Sequence, residues 1–178
     1  MNAATANLTE TTGAVPPSAI TDGDTILAIA YIDAPPDRIF EALTTKEVET
    51  WWGSPDTYRV TDWTADLCVG GRWGLVVRRP DGNVFPASGQ FLAINAPHTL
   101  VQTRKYEWDF PALGRRETTV TYRLDQVQNC TRVTVRQDGF AGLWEAANEH
   151  VAGWERFLRW LTAYLAAKTP SHGTLKCL

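Results

Sequence analysis

The 178-residue chain is poor in the residues that build most cofactor and metal sites, with three cysteines, three histidines and one methionine. Cys68, Cys130 and Cys177 are odd in number, far apart, and show neither a Cys-x-x-Cys spacing nor a neighbouring histidine. On sequence grounds this argues against a disulfide framework and a zinc site, and it makes a reducing cytoplasm the simplest location. A charge excess is missing too: 17 Lys and Arg face 20 Asp and Glu, a net charge of -3. No field of that sign draws nucleic acid or an anionic membrane. No apolar run approaches the ~20 residues needed to span a bilayer, and the first residues lack the basic start and apolar stretch of a secretory signal. Paired carboxylates, a nucleophile elbow and a phosphate-binding glycine loop are also missing. No metal or cofactor is therefore expected, and a non-catalytic or single-turnover role is expected ahead of multiple-turnover catalysis.

Aromatic residues are abundant. Eight Trp, five Tyr and six Phe stand in a chain that is otherwise ordinary, with 44% apolar and 21% charged residues. Eight tryptophans exceed what filling a core usually requires. The length suits one domain. Residues 1–24, rich in Thr, Ala, Asn, Gly and Pro, read as a disordered tail; residues 25–166 form the domain, and residues 167–178 a flexible end.

The run 25–32 (TILAIAYI) is β-rich and stops at Asp33-Ala34-Pro35-Pro36, where proline suits a first helical turn. Ile39, Phe40 and Leu43 then fall at helical spacing, and a second short helix carries Val48, Trp51 and Trp52. Strand-like runs follow over 58–66, 71–79, 84–95, 98–108, 116–126 and 131–138. Pro80-Asp81-Gly82-Asn83 is a strong hairpin signal, so neighbouring strands pair antiparallel. Residues 143–166 place His150, Trp154, Phe157, Leu158, Leu161 and Leu165 on one helical stripe. The fold class is α+β: a curved antiparallel sheet of about six to seven strands around a long C-terminal helix, with two short helices after the first strand.

Strand alternation then selects the inward side chains. Trp73, Leu75 and Val77 share one face, as do Phe85, Gly89, Phe91 and Ala93. Leu100, Gln102, Arg104, Tyr106 and Trp108 form another row, and Val120, Tyr122 and Leu124 a fourth. Small residues such as Gly89 and Ala93 beside large rings leave volume between sheet and helix. The candidate ligand contacts are Trp51, Trp73, Phe91, Arg104, Tyr106, Trp108, Tyr122, His150, Trp154 and Phe157. Rings of this kind offer broad contact area to an aromatic guest, and Tyr and Trp add a polar handle. Each ring also reads as ordinary core, Arg104 as an arginine reaching solvent, and His150 as a hydrogen-bonded core histidine.

The segment 32–44, Trp51-Trp52-Gly53, Gly70-Gly71-Arg72-Trp73, Pro80-Asp81-Gly82 and His150-Val151-Ala152-Gly153-Trp154 together resemble the helix-grip superfamily. This group includes START domains, polyketide cyclases and the activator-of-Hsp90-ATPase-like family. The resemblance spans residues 25–166 and implies a cavity for a hydrophobic or aromatic small molecule, polyketide-like in kind. It also implies alternatives. One is a cyclase in which Arg104, Tyr106, Tyr122 or His150 assists enolisation. Another is a self-sacrificing enediyne-resistance protein, cleaved where a bound warhead takes a hydrogen from a glycine. Gly114, between Leu113 and Arg115-Arg116, has the unshielded Cα–H that this chemistry needs, and equally serves as a plain turn. A co-chaperone role is the least expected, because the additional Hsp90-binding domain of such members is not seen. The expected partner is a small molecule, with no nucleic acid or membrane partner, and the expected state is a monomer or weak homodimer.

Overall fold

Strand β2 (Thr25–Ile32) buries every second residue, so Ile26, Ala28, Ala30 and Ile32 form one apolar row. That row sets the inner face of the sheet, because period-two alternation sends the intervening side chains outward. In the computed structural model, which describes residues 15–168, β2 is preceded by β1 (Ser18–Thr21). It is followed by α1 (Pro36–Thr44) and α2 (Val48–Trp51). Then come β3 (Gly53–Ser54), β4 (Tyr58–Ala65), β5 (Arg72–Arg78), β6 (Val84–Asn95), β7 (Thr99–Tyr106), β8 (Thr118–Val127) and β9 (Cys130–Asp138). Helix α3 (Trp144–Lys168) ends the described chain. The strands make one antiparallel sheet in the order β1-β2-β9-β8-β7-β6-β5-β4-β3.

The α+β architecture is the one expected, with more strands. The sheet has nine strands rather than six or seven, and the additions are β1 and the two-residue β3. Strand β1 also corrects the tail boundary. Ser18 to Thr21 pair with Ile29 to Ile26 of β2 across a turn in which the Asp22 carboxylate accepts from the backbone N–H groups of Asp24 and Thr25. Four residues carry too short an alternation to stand out from a Thr- and Ala-rich tail, and the strand is held by its neighbour's backbone groups. The rest of the expected N-terminal tail, residues 1–14, and the end from residue 169, with Cys177, lie outside the described residues.

Two further expectations change. Ala93 is exposed rather than inward, because β6 shifts register against β7 between Phe91 and Ala93. The extra residue of a bulge inverts the alternation, and Ile94, opposite Leu100, turns inward in its place. Cys130, buried at the start of β9, is disulfide-bonded rather than a free thiol. The cysteine count therefore no longer argues for a reducing compartment.

Helix α3 packs across the inner face through His150, Trp154, Phe157, Leu158, Leu161 and Leu165, all buried. At its far end Tyr164 donates to the Glu47 carboxylate, which also accepts from Arg38. These contacts clamp α1 and the approach to α2 against α3. Among the described residues no helix is long and apolar enough to cross a membrane.

Candidate ligand-binding cavity

A cavity of about 520 Å³ opens between β5–β7, the first half of α3 and the segment joining α2 to β4. Strand β7 supplies its spine. Arg104 and Tyr106 lie at alternate positions, and the same parity carries on past the strand end to Trp108 and Phe110, so all four line the cavity. Phe110 stacks on Tyr106 with centroids 4.5 Å apart and planes at 21°, and Phe85 of β6 sits 4.5 Å from Trp108. On the helix, His150, Gly153, Trp154 and Phe157 recur at three- and four-residue intervals and close the opposite wall. Trp52 and Tyr58 complete the ring of aromatics at the end nearest α2.

The polar groups in this wall have definite states. The Tyr106 hydroxyl donates to His150 Nε2 at 3.0 Å, while His150 Nδ1–H donates to the Ala146 carbonyl at 2.8 Å. Both ring nitrogens are thus used by a neutral imidazole. Burial is the main cause that lowers the His150 pKa to about 4, with the nearby Arg104 charge acting the same way and the Ala146 bond opposing it. Burial likewise raises the Tyr58 and Tyr122 phenols above their ordinary range.

Arg104 is held among rings, its guanidinium carbon 5.2 Å from the Trp52 centroid, 5.5 Å from Tyr106 and 5.9 Å from Trp154. Its Nε is buried without a hydrogen-bond partner, as is Trp108 Nε1. The strand beneath Arg104 is fixed by a buried relay. Thr118 Oγ1 donates to the Arg104 carbonyl at 3.2 Å and accepts from Gln137 Nε2 at 2.9 Å, and Gln137 Oε1 accepts from Trp154 Nε1 at 2.7 Å. Three strands and the helix are thereby locked in one register around the site.

Of the ten contacts predicted from the sequence, the cavity brings together Arg104, Tyr106, Trp108, His150, Trp154 and Phe157. The other four lie in the core beside it. Trp51 is buried with its indole N–H on the Ala42 carbonyl. Trp73 donates to the Thr103 carbonyl, Phe91 is fully buried, and Tyr122 packs edge-on against Trp154. Gly114 does not line the cavity. It turns the loop between β7 and β8 at φ 64°, and its N–H donates to the carbonyl of Phe110 at 2.6 Å. Arg115 pairs with Asp109 at 3.0 Å and Arg116 donates to the Ala141 carbonyl, so neither cation is directed at a guest.

Sequence reasoning passed over Trp52, Tyr58, Phe85 and Phe110 as contacts. The signal for Phe110 was present, since continuing the period of two beyond Trp108 reaches it. For Trp52 no local signal separates it from Trp51: α2 ends there, and the turn into β3 decides which indole faces the cavity. Among the described residues there is no cluster of three or more metal-ligating side chains.

A family model described as Activator of Hsp90 ATPase homolog 1-like protein matches residues 33–166. No curated protein sequence matches the chain significantly. Among solved structures, a protein from Rhodobacter sphaeroides superposes with a TM-score of 0.72 at 21% identity, over 85% of this chain and 99% of its own. Protein Ms6760 from Mycobacterium smegmatis gives 0.71 at 22% identity, over 88% of this chain and 100% of its own. CalU16 from Micromonospora echinospora gives 0.58 at 22% identity, over 87% and 84%. These likenesses establish the fold.

Proposed function

Since the chain belongs to the Activator of Hsp90 ATPase homolog 1-like family, we propose that it is a receptor for a hydrophobic, aromatic small molecule, polyketide-like in shape, held between the sheet and α3. The observation that carries this reading is a space of about 520 Å³ walled by Trp52, Tyr58, Phe85, Tyr106, Trp108, Phe110, Trp154 and Phe157. Such a volume lies within the roughly 300–1,000 Å³ of pockets that enclose small organic ligands. Planar guests gain offset or edge-on ring contacts on every side. The family name alone carries no chaperone partner here.

Binding is favoured over turnover by the state of the His150–Tyr106 pair in the wall. An imidazole with a pKa of about 4 is a weak base at neutral pH, and its Nε2 is already engaged by Tyr106. The test is titration of the full chain with a panel of planar aromatic polyketides, reading Trp emission and intact mass. Saturable quenching with unchanged mass and unchanged ligand is the expected result. No quenching and no thermal stabilisation by any member would overturn the reading.

A second reading, sacrifice of the chain at Gly114, is favoured by one observation. The space around the Gly114 Cα is open, and its N–H is tied to Phe110, whose ring is in the cavity wall. Activated enediynes in the same mass assay would then cut the chain at Gly114, and Gly114→Ala would prevent the cut. An intact chain after incubation would dismiss this reading and leave the receptor role standing.

A further inference from the structure

We infer that the guest is an elongated aromatic acid: its one ionised group, a carboxylate, sits on Arg104, and a neutral oxygen at its far end accepts from Trp108. The inference rests on the receptor role proposed above and adds the chemical class of the ligand.

Of the ionisable side chains lining the cavity, Asp56, Arg79, Glu149 and Arg156 are all exposed, so they belong to the rim. Two are acidic and two basic, and the rim is balanced. Inside, His150 is neutral at physiological pH, and burial keeps Tyr58 protonated. Arg104 is then the single interior charge. It takes part in none of the salt bridges of the described residues, so neither Asp56 nor Glu149 lies within 4.0 Å of it. Rings on three sides offset part of the cost of desolvating a guanidinium, but they accept no N–H bonds in its plane, and its Nε has no partner. A half-buried cation in this condition is completed by an anion with two oxygens in the guanidinium plane.

The second pole follows from Trp108. Its Nε1 is the other unpaired buried donor of the same wall. Being neutral, it calls for a neutral acceptor such as a carbonyl, hydroxyl or ether oxygen. The Trp108 indole centroid is 6.1 Å from that of Tyr106, which is in turn 5.5 Å from the Arg104 guanidinium carbon, so one ring links the two poles. The ring of Tyr106, with Phe110 stacked on it, bears on the guest's apolar body. A compact acid reaches one pole only, whereas a fused-ring acid oxygenated at its distal end reaches both.

The test uses three probes on the full chain by isothermal titration: methoxynaphthoate, its primary amide, and naphthoate without the methoxy group. The acid is expected to bind at least about tenfold more tightly than the amide, the range of a charge-assisted bond formed away from water. Arg104→Met should erase that preference while keeping the affinity for the amide. Trp108→Phe should reduce methoxynaphthoate to the level of naphthoate. Equal binding of acid and amide by the wild-type protein overturns the inference and needs no variant to fold; so does a preference that survives in Arg104→Met. Failure of all three probes, together with the polyketide panel, would instead remove the receptor role itself.

Discussion

Protonation of His150 offers the most direct check on the physics of the cavity wall. The imidazole is 7% exposed and its pKa falls from an ordinary 6.5 to about 4, chiefly through burial. An unfolded chain therefore binds a proton at this position between those two values while the folded chain does not. Stability from this group is complete above about pH 6.5, declines as pH falls toward 4, and changes no further below that. Each pH unit of difference is worth about 1.4 kcal/mol, so the whole interval amounts to about 3 kcal/mol. Between pH 7 and pH 4.5 the linkage relation assigns a loss of about 2 kcal/mol to His150 alone. Carboxylates titrate over the same range, and the comparison that isolates the imidazole is with His150→Gln, whose amide oxygen can still accept from Tyr106. Urea unfolding of both proteins at the two pH values gives four free energies. The wild type is expected to lose about 2 kcal/mol more than the variant on acidification. Parallel losses would refute the claim that burial holds His150 neutral, and with it the charge accounting that leaves Arg104 as the single interior ion.

Two other substitutions probe the division between core and cavity. Trp51→Ala should cost about 3–5 kcal/mol in chemical denaturation, because it removes a buried indole bonded to the Ala42 carbonyl and packed against Phe157; Trp52→Ala should leave most of that stability and weaken aromatic ligands instead. The reverse pattern would mean that the two indoles are exchanged. Gly89→Ala should destabilise by about 3 kcal/mol or more, since its Cβ would overlap the Thr103 carbonyl and stand 2.6 Å from Trp73 Nε1; a near-normal melting temperature would show that β6 and β7 are further apart than described.

Much of this architecture could be read from the chain. Alternation in 25–32 and 72–78, the turn chemistry of Pro80 to Asn83 and the helical stripe from His150 to Leu165 are local patterns set by backbone periodicity. They were sufficient for the α+β class and for six cavity residues, because a strand row and a helix face that are both apolar must meet in one layer. What the tertiary structure decided is how far those rows run and where their phase breaks. A register shift at Phe91 moved Ala93 to solvent, a property of pairing with β7 that no single-strand pattern encodes. The four residues of β1 became a strand because the edge of β2 offered backbone partners. Trp51 and Trp52 are chemically identical neighbours, and only the turn at Gly53, with φ 121° and no room for a Cβ beside Tyr58, assigns one to the core and the other to the cavity. Gly114, whose chemistry looked the same in a turn or at a reactive centre, was placed outside the cavity wall by the path of the loop. Periodicity is a local property and was visible in the sequence; enclosure is a relation among distant segments, and the volume left between them exists only once they pack.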